Sequence, residues 1–324
     1  MAHGDLELRR RRRAHLIALG QMFVVTLLWS SSFPIHKVLL NAGMPPLTLA
    51  AYRYFLAALI LAAALWVRRG KKAASQKETP SIRSYTLLLL IIGLCMYGAQ
   101  GIHMTALSLL TASDSGLVSM TWAPIAVGLL MLMVDRSFPR FWQCVGFCVV
   151  LTGLFLYFPA DLQKARTLGI ALNILSASTW AVAVVLTHRT FRQTTISALE
   201  LTAFTMLAGS SLLLIVALIH DRAYVPPLWQ AAWLGYLALV NTAVGFALYN
   251  HTMRVLAPFE LVVFQDSMIV QVGILSAIFL GEVITPSMAF GMIVVVAGIA
   301  VVQVFAPRVR VQEEKREELT PVLK

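Results

Sequence analysis

The sequence predicts an all-α membrane protein with ten transmembrane helices, arranged as two inverted five-helix repeats around a central cavity. Three observations predict it. Apolar residues fill 59% of the 324 positions and charged residues only 13%, with a mean hydropathy of +0.78, where a soluble domain carries about 25% charged residues. Apolar stretches of about twenty residues, the length needed to cross the hydrocarbon core, recur ten times. The second half also repeats landmarks of the first: Asp114, Asp135 and Pro139 have counterparts in Glu260, Glu282 and Pro286, shifted by 146 or 147 positions. An odd number of spans per half turns the second half upside down relative to the first.

The first span, 14–36, follows the Arg9 to Arg13 cluster and contains Trp29 and, near its end, Pro34. Too long for a signal-peptide core and lacking a small-residue cleavage site, it reads as a helix that stays. The second, 47–67, carries Arg53 near its outer end, within reach of the interface, where a long side chain snorkels into a gating or structural contact. On the third, 85–107, Tyr97, Gln100, His103 and Met104 share one helical face. The fourth, 114–134, opens on Asp114, placed to meet the positive end of its helix, and contains Trp122 and Pro124. Asp135 follows in the turn before the fifth, 141–159, where Gly146 and Gly153 leave a smooth face.

In the second half, the sixth span, 168–187, aligns Asn173, Ser176 and Trp180. The seventh, 196–219, has Glu200 where the second span has Arg53. The eighth, 228–250, aligns Thr242, Gly245 and Tyr249, with Asn241 beside them. The ninth, 259–280, begins near Glu260 and carries Gln265 and Asp266 about midway. Glu282 and Pro286 precede the tenth, 288–305, whose Gly291 and Gly298 echo the fifth span. These glycine faces fit either a homodimer contact or a joint between the repeats. The chain therefore divides into a basic N-terminal segment, 1–13, the repeats 14–159 and 168–305, and a charged tail, 306–324.

The net charge of +11 is a topology signal and not a nucleic-acid footprint. With the amino terminus in the cytoplasm, 21 of the 26 Lys and Arg fall in cytoplasmic segments, which fixes the orientation with both termini inside. Tail residues 312–324 and the 70–82 loop lack the apolar content to pack and read as disordered. Cys95, Cys144 and Cys148 lie inside spans with no His or acid at ligand spacing, so neither a metal nor a cofactor is expected.

Three segments carry a family resemblance: Trp29-Ser30-Ser31-Ser32-Phe33-Pro34, Arg53-Tyr54-Phe55-Leu56, and Gly281-Glu282-Val283-Ile284-Thr285-Pro286. In this order and spacing the chain resembles the drug/metabolite transporter superfamily, in its EamA-type branch. The resemblance implies paired five-helix repeats and export of small metabolites across the bacterial inner (plasma) membrane. Two positions depart from the family pattern: Val134-Asp135 stands where Gly-Glu is usual, and Asp266-Ser267-Met268-Ile269 near where Glu-Pro is usual.

The residues point to a secondary transporter working by alternating access. No Gly-rich phosphate loop ending in Gly-Lys-Ser or Gly-Lys-Thr marks an ATP motor, and no His-Glu-x-x-His or interfacial acid cluster marks a membrane enzyme. The polar stripes turn inward, which disfavours a lipid scramblase, and the inverted repeat favours a carrier over a passive facilitator. The expected substrate site is Trp29, Tyr97, Gln100, His103, Trp122, Asn173, Trp180, Asn241, Tyr249, Gln265 and Asp266. Asp266, an acid in mid-membrane, is also the expected proton-coupling group. Arg53, Glu200, Asp135, Glu282, Pro34 and Pro124 are expected to gate or to shape the helices. With so little charge in mid-membrane, the expected substrate is an amino acid, amine or aromatic compound, and the expected partners are that solute and the lipid bilayer.

Overall fold

A computed structural model describes residues 2–72, 85–135, 141–157, 164–193, 196–221, 223–252 and 258–304. The helices are α1 (Ala2–Asn41), α2 (Pro46–Lys72), α3 (Thr86–Leu109), α4 (Ala112–Asp135), α5 (Phe141–Tyr157), α6 (Lys164–Gln193), α7 (Ala198–His220), α8 (Leu228–Tyr236), α9 (Gly245–Thr252), α10 (Pro258–Leu280) and α11 (Pro286–Val304). A π-helical segment, Leu237–Val244, joins α8 to α9 without a break. All regular structure among the described residues is helical.

Five stretches among the described residues are long and apolar enough to cross a bilayer: Arg13–Asn41, Pro46–Val67, Thr86–Leu109, Arg166–Thr187 and Leu199–His220. Cys144–Tyr157, Ser267–Leu280 and Pro286–Val301 are shorter apolar helices. The outer surface is apolar, with Trp66, Phe155, Ile219 and Phe279 exposed. Thr26, Ser30, His36, Arg53, Asn173 and Asn241 are buried. Polar groups inside and apolar groups outside suit a lipid environment, which offers no hydrogen bonds.

The first helix departs from expectation at Pro34. Instead of ending nearby, α1 runs on to Asn41. Proline frees a carbonyl in the preceding turn, and hydroxyls crowd that turn: Ser31 Oγ donates to Leu28 O (2.7 Å) and Ser32 Oγ to Trp29 O (2.6 Å). The helix stops where Gly43 takes φ +84°. Its amide bonds Leu40 O (3.0 Å) and that of Met44 bonds Leu39 O (3.1 Å), the paired closure of a left-handed glycine cap. At its other end α1 reaches back through the Arg cluster to Ala2. The segment expected to be disordered at 70–82 is helical as far as Lys72; residues 73–82 and the tail from 305 lie outside the described residues.

The eighth expected span is also not one α-helix. Within Leu237–Val244 the backbone widens, and Thr242 Oγ1 bonds Leu237 O five residues back (2.9 Å). The wide turn frees backbone and side-chain groups for other helices.

The halves are interleaved. α3 packs on α6 and α7, α2 on α7 and the π segment, α4 on α6 and α10, α1 on α9 and α10, and α5 on α11. The last contact rests on glycine: a Cβ at Gly291 would stand 2.8 Å from both Gly153 O and Tyr157 N, and one at Gly298 2.8 Å from Val150 N. Of the two uses open to these glycines, the close contact seen is the intrachain joint.

Candidate functional site

The centre of the site is Arg53 on α2. Its residue exposure is 7%, so its side chain does not snorkel to the interface. The guanidinium donates from Nη1 to His36 Nε2 (2.7 Å), from Nη2 to Asn241 Oδ1 (2.9 Å) and from Nε to Thr242 Oγ1 (3.3 Å). Its carbon stands 5.0 Å from the Tyr54 ring centroid, a cation–π contact. No acid among the described residues pairs with it.

The arrangement fixes the state of His36. A guanidinium only donates, so Nε2 must accept, and the neutral ring then carries its proton on Nδ1. His36 is 2% exposed, and its Nδ1 has no partner among the described residues. The π segment supplies the other wall: Asn241 and Thr242, adjacent in sequence, both reach Arg53 and are 0% and 1% exposed.

A second network joins α3, α4 and α6. Asn173 Nδ2 donates to Ser115 O (2.9 Å), which orients its amide, so Oδ1 accepts from Ser119 Oγ (2.8 Å) and from His103 Nδ1 (3.0 Å). His103 is thereby the Nδ1–H tautomer, with the lone pair on Nε2. Phe33 of α1 meets its ring edge-on at 5.6 Å, and His103 lies within electrostatic reach of Arg53 and His36. The two networks are neighbours.

Around them stand the aromatic residues. Trp29 Nε1 donates to Asn241 O (3.2 Å), its ring lies 5.2 Å from Tyr249, and Gln265 Nε2 donates to the Tyr249 hydroxyl (3.3 Å). Gly245 makes the approach of Trp29 possible, since a Cβ there would stand 2.9 Å from Nε1. Tyr54 donates to Gln100 Oε1 (2.9 Å) and packs on Tyr97 at 5.4 Å. Trp122 Nε1 donates to Ser178 Oγ (2.9 Å). Trp180 is half-buried on α6. Trp29 and Trp122, both expected at the substrate site, thus bond to different helices.

Asp266 lies within α10 and Asp135 ends α4, but the side chains of both lie outside the described residues, as does that of Pro124 in α4. Glu200, at the position in the second half that matches Arg53, has a structural role at the start of its helix. With Ser197 it forms a capping box at the start of α7, accepting from Ser197 N (3.3 Å) while its own amide donates to Ser197 Oγ (3.2 Å).

Several contacts escaped the sequence reading. Glu282 spans the halves to accept from the amides of Ala112 (2.7 Å) and Ser113 (3.0 Å) at the start of α4. Asp114 stands in the first turn of α4, as expected, and in addition pairs its carboxylate with Arg166 at 2.9 Å, while Thr111 Oγ1 accepts from the Asp114 amide. Lys37 Nζ donates to Leu107 O (3.0 Å) at the end of α3. Gln271 of α10 links to Ser30 (3.0 Å) and Thr26 (3.1 Å) of α1. His36 was missed although it stands two helical turns from Trp29, a spacing that puts both on one face.

The profile of the EamA-like transporter family matches residues 16–158 and again 167–304. The uncharacterized transporter YoaV of Bacillus subtilis (strain 168) is 25% identical over 232 residues, covering 69% of this chain and 75% of that protein. The uncharacterized inner membrane transporter YedA of Escherichia coli (strain K12) is 26% identical over 253 residues, covering 76% and 78%. A crystal structure with 21% sequence identity matches at a TM-score of 0.61 over 91% of this chain and 98% of the other, which establishes a shared fold.

Proposed function

Because the chain belongs to the EamA-like transporter family, within the drug/metabolite transporter superfamily, we propose that it is a secondary active transporter that exports a small polar or amphipathic metabolite by alternating access. The solute is an amino acid, an amine or an aromatic compound. The protein sits in the bacterial inner (plasma) membrane as ten spans in two inverted repeats, with both termini cytoplasmic.

The observation that carries this reading is how the helix pairings behave when the halves are exchanged. With α6, α7, the α8–π–α9 rod, α10 and α11 set against α1 to α5, the contact α3–α6 exchanges with α9–α1, α4–α6 with α10–α1, and α3–α7 with the π segment on α2. The contacts α2–α7, α4–α10 and α5–α11 map onto themselves. Such an arrangement supports two conformations of similar energy, open to opposite sides. The polar and aromatic networks lie where the halves meet, as a site exposed to each side in turn requires.

Purified protein in proteoliposomes, loaded and challenged with radiolabelled amino acids, amines and aromatic metabolites with and without a pH gradient, tests the proposal. Saturable counterflow of one class is expected. A flux that never saturates, or equal leakage of unrelated solutes, would point to a passive facilitator and overturn it.

A further inference from the structure

Taking the transporter reading as given, we infer that Arg53 and His36 form the binding site for a carboxylate on the transported solute. A guanidinium has five N–H donors. Three are used, on His36, Asn241 and Thr242, which leaves two without an acceptor among the described residues. The His36 Nδ1–H is a third unused donor, on a ring 98% buried by its 2% exposure.

The partners of Arg53 among the described residues are all neutral. A cation inside a membrane protein is costly unless an opposite charge or a strong acceptor offsets its lost hydration, and neutral amide, hydroxyl and imidazole groups offset it only in part. A carboxylate would add the missing charge and accept the spare donors, and its planar oxygen pair matches the guanidinium fork. One guanidinium with neutral neighbours suits a single negative charge better than a phosphate dianion.

The position fits a transport site. Arg53 and His36 come from α2 and α1, and Asn241 and Thr242 from the π segment of the other half. A movement of the halves therefore alters this cluster directly. Asn241 and Thr242 hold the guanidinium when no solute is bound, and the solute takes over part of their role.

The test uses the reconstituted wild-type protein and three probe sets: the pooled amino acids, the corresponding acids without the amino group, and the corresponding amines without the carboxylate. The first two sets are expected to exchange and the amines not. Arg53→Gln should lower carboxylate exchange about 10- to 100-fold, the loss expected for hydrogen bonds to a charged group. Asn241→Asp, which gives Arg53 an internal carboxylate, should lower exchange similarly while the protein stays monodisperse with an undiminished melting temperature. That variant decides the matter if Arg53→Gln does not fold. Exchange of the amines at the rate of the acids, or wild-type carboxylate exchange in folded Arg53→Gln or Asn241→Asp, would overturn the inference and leave the transporter reading standing. Failure of all three sets to exchange would overturn both.

Discussion

Glu282, in the turn between α10 and α11, holds the first amide of α4, that of Ala112, at 2.7 Å, and so ties the end of one half to a helix start in the other. The first amides of a helix have no partner within it, and a carboxylate there meets both the free donors and the positive end of the helix dipole. Glu282→Ala should lower stability by about 1–2 kcal/mol, read as a lower melting temperature in detergent, and Glu282→Gln should retain part of the loss. An unchanged melting temperature in Glu282→Ala would show that water replaces the carboxylate at no cost.

Asp114 and Arg166 should behave as a coupled pair. Asp114 is almost wholly enclosed, while Arg166 is about a quarter exposed. Removing the cation leaves a buried carboxylate, at a cost of about 3–5 kcal/mol. Arg166→Gln is therefore expected to be clearly less stable than the double variant Arg166→Gln with Asp114→Asn. A double-mutant cycle on thermal stability measures the coupling, and strictly additive effects would show that the pair is screened.

The joint between α5 and α11 makes a prediction about glycine. A methyl group at Gly291 would meet backbone atoms of Gly153 and Tyr157, which cannot swing aside as a side chain can. Gly291→Ala should cost about 1–3 kcal/mol by overpacking, whereas Gly98→Ala, with nothing within 4 Å of the new methyl, should be neutral or slightly stabilising. The comparison separates loss of close packing from the general effect of replacing a helical glycine.

How far the sequence could be read follows from which physical rule governed each feature. Hydropathy located the helices because lipid allows no other way to satisfy the backbone, and the inward turn of Tyr97, Gln100, His103 and Asn173 followed from the same rule. Charge position was less informative. Arg53 and Glu200 looked equivalent by repeat spacing, yet one is buried and the other closes a capping box, because a capping signal depends on the local Ser197 and not on the repeat. The π segment does not follow from a period of 3.6 residues per turn, so the sequence placed Asn241 beside Thr242 but did not show that both reach Arg53. His36 was passed over because one titratable residue on an apolar helix shows nothing of its partner until α2 is packed against it.

Asp266 gives the last prediction, on coupling. It lies within α10, beside Ser267, which accepts a hydrogen bond from Gln271 at 3.0 Å, and Gln271 in turn reaches the polar face of α1. An acid in a membrane-spanning helix must be paired, or take up a proton, whenever its helix moves through the hydrocarbon region. If Asp266 takes up the proton that drives export, wild-type flux should respond to an imposed pH gradient, and Asp266→Asn, which mimics the protonated form permanently, should abolish that response. Counterflow, which needs no net proton movement, should survive in the variant. Gradient-driven flux and counterflow measured on the same proteoliposomes distinguish a coupling group from a binding or packing group. Loss of both would make Asp266 part of the solute site or of the fold, and retention of the pH response would remove it from the coupling mechanism.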